Sequence, residues 1–176
     1  MANQDGISGC SRRIIEAILR DQLSNGCEPI DVDGLVAKEM IVYARKVARK
    51  VRNLEQYKLL FSDLEPDDFW LLSPSRIDTL LDIIFKYSQT ADERVNRACV
   101  FLTFVADLCK DIEDAEVKES AINNSIHVTL RRLNSEDFNM FYQDLSPFSN
   151  ITKWLTGITC TLTLIFFTFM WIRILK

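Results

Sequence analysis

The residue types that perform chemistry at neutral pH are sparse in this chain. One histidine, His127, occurs in the whole sequence, in the middle of a helical run, and it reads as a surface or groove-edge side chain. A zinc site needs three or four nitrogen, sulfur or carboxylate ligands converging on one point. The five cysteines, Cys10, Cys27, Cys99, Cys109 and Cys160, are odd in number, and no two stand at metal-ligand spacing. Cys99 and Cys109 fall in an apolar helical run, where a reduced thiol acts as a small hydrophobe. There is no glycine-rich phosphate loop and no nucleophile elbow. The carboxylates of DIEDAEVKE, residues 111–119, read as the solvated opening turn of a helix, where negative charge suits the helix dipole. The expectation is a protein with no catalytic residues, no metal and no cofactor: an interaction module, not an enzyme.

Charge narrows the class of partner. The chain of 176 residues carries 21 lysines and arginines against 25 aspartates and glutamates. From Ile151 onward there are three bases (Lys153, Arg173 and Lys176) and no acid, so the body before it has a net charge of −7. An acidic body argues against nucleic acid, whose phosphates need clustered positive charge. It also argues against broad electrostatic adhesion to anionic lipid. The start, MANQDGISGCSRR, has no apolar stretch of the kind a secretory signal requires.

The elements are helical nearly throughout, with five glycines, four prolines and no clear strand signal. Residues 1–10 read as a flexible lead, and Ser11 as the N-cap of a first helix. Its Ile14, Ile15, Ile18, Leu19 and Leu23 form one stripe, and Asn25-Gly26 ends it. After Pro29, Asp33 caps a second helix in which Val36, Met40, Tyr43, Val47, Val51 and Leu54 keep one face apolar. Arg45, Lys46, Arg49, Lys50 and Arg52 make its other faces basic. Tyr57, Leu59, Leu60 and Phe61 continue it or form a short third helix. An acidic turn over 62–68 and a packed turn, Phe69-Trp70-Leu71-Leu72, follow. Ser73-Pro74 opens a fourth helix. Residues 95–110, apolar on almost every face, belong at the centre of a bundle. A sixth helix runs to about Leu133 with Val117, Ala121, Ile122, Ile126 and Leu130 inward. A short helix from Ser135 to about Leu145 ends before Pro147. The expected domain spans 11–146, an all-α bundle with a central hydrophobic helix hairpin, followed by a linker over 147–153.

Residues 154–172, WLTGITCTLTLIFFTFMWI, carry no charge. As a helix they extend roughly 28 Å, close to a bilayer's hydrocarbon core. Trp154 and Trp171 stand at the two ends, Leu164 and Phe167 between them, and Arg173 begins a basic C-terminus over 173–176. This reads as a transmembrane tail anchor, inserted after translation with the body on the cytosolic side.

The central apolar run opens with Arg94-Val95-Asn96-Arg97, followed by ACVFLTFVADLC. It resembles the Asn-Trp-Gly-Arg motif and apolar continuation that open the central helix of the Bcl-2 apoptosis-regulator family. Arg97 stands at the motif's arginine; Phe101, Phe104, Leu108 and Cys109 fit its apolar pattern, and Asn96 replaces its glycine. SRRIIEAILRDQLSNGCEP resembles the family's N-terminal homology motif. NSEDFNMFYQDL resembles the second, with Phe138 at its tryptophan, Phe141 at its second aromatic, and Glu136-Asp137 at its paired glycines. The second helix falls where the Bcl homology 3 segment belongs, in the register Val36/Met40/Tyr43/Val47 or Met40/Ala44/Val47/Val51. The small residue is Ala44 or Ala48, and Arg45 or Arg49 replaces the expected aspartate.

The resemblance covers the chain from Ser11 to the anchor and implies a Bcl-2-like bundle. Its surface groove would receive an amphipathic partner helix at i, i+3/4, i+7 and i+11. The implied lining is Val47, Val51, Leu54, Tyr57, Ile84, Val95, Asn96, Arg97 and Phe101, with Arg97 offered to a ligand aspartate. Lost acidity on the second helix and a retained groove arginine favour a pro-survival member. Its partners would be Bcl homology 3 proteins, the bilayer, and a homo- or heterodimer mate, at the mitochondrial outer membrane or the endoplasmic reticulum. The alternatives are a membrane-permeabilising effector of the Bak/Bax kind, or an unrelated tail-anchored adaptor or fusion protein. Pro147 and SPFSN interrupt the continuous coil that a fusion protein needs.

Overall fold

A computed structural model describes residues 4–26, 35–62, 73–86, 88–133, 135–144 and 151–174. Eight helices make up the described chain: α1 (Gln4–Leu23), α2 (Leu35–Asn53), α3 (Glu55–Ser62), α4 (Pro74–Phe85), α5 (Ala91–Lys110), α6 (Ala115–Leu130), α7 (Ser135–Asp144) and α8 (Ile151–Ile174). The fold is an all-helical bundle, with no strand among the described residues.

The bundle is organised around one helix. From Val95 to Ala106 every residue of α5 is buried, so its apolar run has no solvent side and packs against helices all round. α1, α2, α6, α7 and α8 all lie against it, and α4 joins at its edge. The expected central hairpin is therefore a single central helix. α6 presents Ala121, Ile122, Ile126 and Val128 inward but leaves Glu116, Glu119, Asn123 and His127 exposed, because its apolar residues fill one stripe only.

Helix ends follow local chemistry, with some departures from expectation. Asp114 caps α6, accepting from the N–H groups of Glu116 at 2.9 Å and Val117 at 3.0 Å. α5 begins at Ala91, four residues before the expected start. Thr90 accepts from the Glu93 N–H, while the Glu93 carboxylate accepts from the Gln89 N–H; this is a capping-box variant. α1 ends as expected: Asn25 and Gly26 take φ of 58° and 66°, and the Gly26 N–H bonds Asp21 O at 2.8 Å.

Ser11 is no cap. α1 continues through it to Gln4, leaving the serine buried inside the helix, and the expected flexible lead is helical from residue 4. Ser73 stands at the N-cap of α4 before Pro74, but its hydroxyl makes no capping bond. The second and third helices are separate, broken at Leu54. α6 stops at Leu130, and the last helix starts at Ile151, inside the expected linker. The expectations placed on Pro29, Asp33, residues 63–72, Leu145 and Pro147 lie outside the described residues, as does the Val36 side chain.

Candidate functional site

α3, α4 and α5 together offer one helix a seat, termed the trench, and α8 occupies it. α8 packs against these three helices as its main neighbours. Its Ile158, Leu162 and Ile165 are sealed at 0–2 % exposure, spaced i, i+4 and i+7 along one face. Thr161 and Thr168 lie on the same face, buried too; Thr168 satisfies its hydroxyl on the Leu164 carbonyl at 2.7 Å. Thr159, Cys160, Phe167 and Met170 face outward, and Leu164 is half-buried. Among the described residues no helix is long and apolar enough to cross a membrane. The side chains of Trp154, Trp171 and Arg173 lie outside the described set.

The expected arginine lies on α5, one of the helices against which α8 packs. Arg97 is 8 % exposed, and its Nη1 donates to the carbonyl of Ile84 at 2.5 Å. That carbonyl sits in the last turn of α4. The Ser88 N–H, which could have continued the helical ladder to it, bonds Phe85 O instead. A cation at a helix C-terminus is favourable both as donor and as dipole partner. Arg97 is thus bonded within the fold. Its Nε and the Oδ1 of the buried Asn96 have no hydrogen-bond partner among the described residues.

The other implied lining residues divide. Tyr57, Ile84 and Phe101 belong to the three trench helices and are buried; Leu54, at the α2–α3 break, is half-buried. Val47 and Val51 belong to α2, which packs on α1, α3, α5 and α7. Both are fully sealed in the core, as is Val95 on α5, and they do not form a free groove wall. Met40, Ala44 and Ala48 are sealed with them, and Tyr43 meets Phe141 edge-on at 4.6 Å between ring centroids. In both registers, the described apolar face of the Bcl homology 3-like helix is already used within the domain. Arg49 is exposed, whereas Arg45 pairs with Asp21 of α1 at 2.6 Å.

A polar network that the sequence reading missed fixes the trench wall. Asp107 of α5 accepts from Arg52 Nη2 at 2.7 Å, Arg52 Nε at 2.9 Å, Tyr57 Oη at 2.7 Å and Lys110 Nζ at 2.5 Å. Lys110 also reaches Asn25 Oδ1 at 2.6 Å. Burial pushes the Asp107 carboxyl up, but its bonds from Arg52, Lys110 and Tyr57 together outweigh that and hold it below the ordinary aspartate value. Burial, chiefly, raises the Tyr57 phenol well above its usual range, with the Asp107 charge adding to it. One carboxylate therefore ties α2, α3 and the end of α5 together. The signal in the sequence was an aspartate inside an otherwise apolar run, three residues before a lysine.

Two further arginines dock outer helices through ion pairs. Asp137 of α7, 3 % exposed, accepts from Arg94 Nε at 2.8 Å and from its Nη2. Arg132 bonds Asp78 at 2.8 Å and also Asp82, so the end of α6 grips α4. Cys99 and Cys109 are buried thiols, each pushed up to about 12 by desolvation. No group of three or more potential metal ligands comes together among the described residues.

What these residues define is an all-helical bundle with a helix-receiving trench. Against protein-family models, curated proteins and solved structures, the chain has no match.

Proposed function

We propose that this protein is a helix-capturing regulator of cell death, pro-survival in character, which binds Bcl homology 3 helices of death-promoting relatives in the trench between α3, α4 and α5. The observation that carries the reading is the seating of α8. An apolar helix with anchors at Ile158, Leu162 and Ile165 already lies in the trench, with the anchor spacing that such ligands use. α8 brings no carboxylate, since residues 154–172 carry no charge. A ligand helix bearing an aspartate could add a charge-assisted bond to Arg97, provided the guanidinium turns from Ile84 or shares its free Nε.

In this reading α8 has two berths, the trench and the lipid bilayer. No described helix is long and apolar enough to cross a membrane, so the second berth is supported by the sequence alone: residues 154–172 carry no charge and Lys153 and Arg173 flank them. The proposed location is the mitochondrial outer membrane with the bundle facing the cytosol, the endoplasmic reticulum being the other membrane compatible with such a tail. The sealed apolar face of α2 weighs against an effector that would insert this helix into a neighbour: Met40, Tyr43, Val47 and Val51 would first have to leave the core. A titration of the full chain with fluorescent Bcl homology 3 peptides tests the proposal. Saturable binding that weakens about tenfold when the peptide's aspartate becomes alanine is expected from the loss of one charge-assisted bond. No binding to any peptide of a broad panel, even with α8 displaced, would refute it.

A further inference from the structure

The outward side of α2 is the strongest concentration of positive charge in an otherwise acidic molecule. Lys38, Arg45, Lys46, Arg49, Lys50 and Arg52 lie on this one helix, with Glu39 as its single acid. Arg45 and Arg52 are consumed inside the fold, on Asp21 and Asp107. Lys38, Lys46 and Arg49 are exposed. At about 100° per residue, these three fall with Val42 and Asn53 on a single stripe, on the order of 22 Å long. Val42, 36 % exposed, lies on it between Lys38 and Lys46.

The stripe is rigid because the opposite side of α2 is locked into the core by Met40, Tyr43, Val47 and Val51. It is also convex, being the outer surface of a helix. A convex row of cations around a small apolar residue fits an extended, flat, negatively charged surface better than a peptide, which would need a groove. We propose that Lys38, Lys46 and Arg49, around Val42, form a docking face for the anionic headgroups of a lipid bilayer. The −7 body repels such a surface elsewhere, so this face fixes the orientation in which the bundle approaches. Lysine and arginine stems lie along the surface with Val42 touching the headgroup boundary. The inference does not depend on the trench or on α8 as an anchor.

The test is co-sedimentation of the full chain with phosphatidylcholine vesicles, with and without phosphatidylserine, comparing the wild type with K46E/R49E. Both positions are exposed, and an unchanged melting temperature shows the variant to be folded. The expected result is a phosphatidylserine-dependent gain in binding that the variant loses at least about tenfold, and that high salt erases. Equal binding of wild type to both vesicles, equal loss on both, or a variant that keeps its phosphatidylserine preference would overturn the proposal. So would a preference of the wild type for polyglutamate over vesicles. Resistance of bound chain to alkaline carbonate reports insertion of α8 separately, so failure of the anchor and failure of the stripe give different results.

Discussion

Arg97 of α5 closes the end of α4 by donating to the Ile84 carbonyl at 2.5 Å, from a position where only 8 % of its surface meets solvent. The bond joins α5 to α4, two of the helices against which α8 packs. The motif resemblance assigns this arginine to a partner; a partner's carboxylate would compete with the Ile84 carbonyl for the same guanidinium.

Replacing Arg97 by methionine, which keeps the stem and removes the charge, should lower stability by about 1.5–3 kcal/mol, the worth of a hydrogen bond to a charged group. For a chain of this size that is a melting-temperature drop of roughly 4–10 °C by circular dichroism. A guanidinium merely waiting at a surface would leave the melting temperature nearly unchanged. Arg97→Lys should fall between the two, since an ammonium keeps the charge but lacks the planar fork.

Asp107→Asn should remove the ion pair with Arg52 and weaken the hold on Tyr57 and Lys110. The cost at neutral pH is about 2–4 kcal/mol, the lower side of breaking a buried pair, because Arg52 is a quarter exposed. The pH dependence has a fixed sign. Asp107's folded value is lowered, so its stabilisation is fully present above the unfolded aspartate value near 4 and is lost as pH falls through the folded value. Denaturant curves of wild type and variant should therefore differ most at neutral pH and converge as the solution is acidified below about 4.

Cys160 is exposed on the outer side of α8, whereas Cys99 and Cys109 are buried with thiols raised to about 12. Mass-mapped alkylation of the native chain at neutral pH should label Cys160 and spare Cys99 and Cys109. Labelling of Cys99 without denaturant would mean that α5 is not the sealed centre described above.

Much of the fold was legible from apolar spacing. The α1 stripe, the all-round apolar character of α5 and the inward face of α6 each follow from which residues recur on one side of a helix. Caps are less legible: the acidic stretch 111–119 marks where α6 opens, but Asp114 as its cap, and Thr90 with Glu93 as the capping box of α5, emerge only from the hydrogen bonds. The site was harder, because it depends on which helices share a wall. Periodicity shows that Val47 and Val51 are buried, but not that α1, α5 and α7 bury them. Nor does charge pattern reveal that Asp107 gathers partners from residues 52, 57 and 110. Residues 154–172 are helical, as their unbroken apolar run implies; that this helix packs on α3, α4 and α5 with Ile158, Leu162 and Ile165 buried is a tertiary fact the run alone does not contain.

Leu162 is the most informative residue for the proposed exchange of α8 between berths. It is 2 % exposed, so Leu162→Glu would forfeit about 1.5–3 kcal/mol of apolar burial and add the cost of desolvating a carboxylate. The sum exceeds about 3 kcal/mol, enough to shift the docked population more than 100-fold. Hydrogen exchange in α8 should accelerate by at least that factor, and affinity for an amphipathic Bcl homology 3 peptide should rise as the berth empties. Phe167→Glu is the control: Phe167 is 65 % exposed on the outer face, so this substitution places the same charge on α8 without touching the trench. If both variants release α8 equally, the trench is not what holds it. If L162E frees the helix but no peptide takes its place, the trench receives α8 alone, and capture of a foreign helix falls with it.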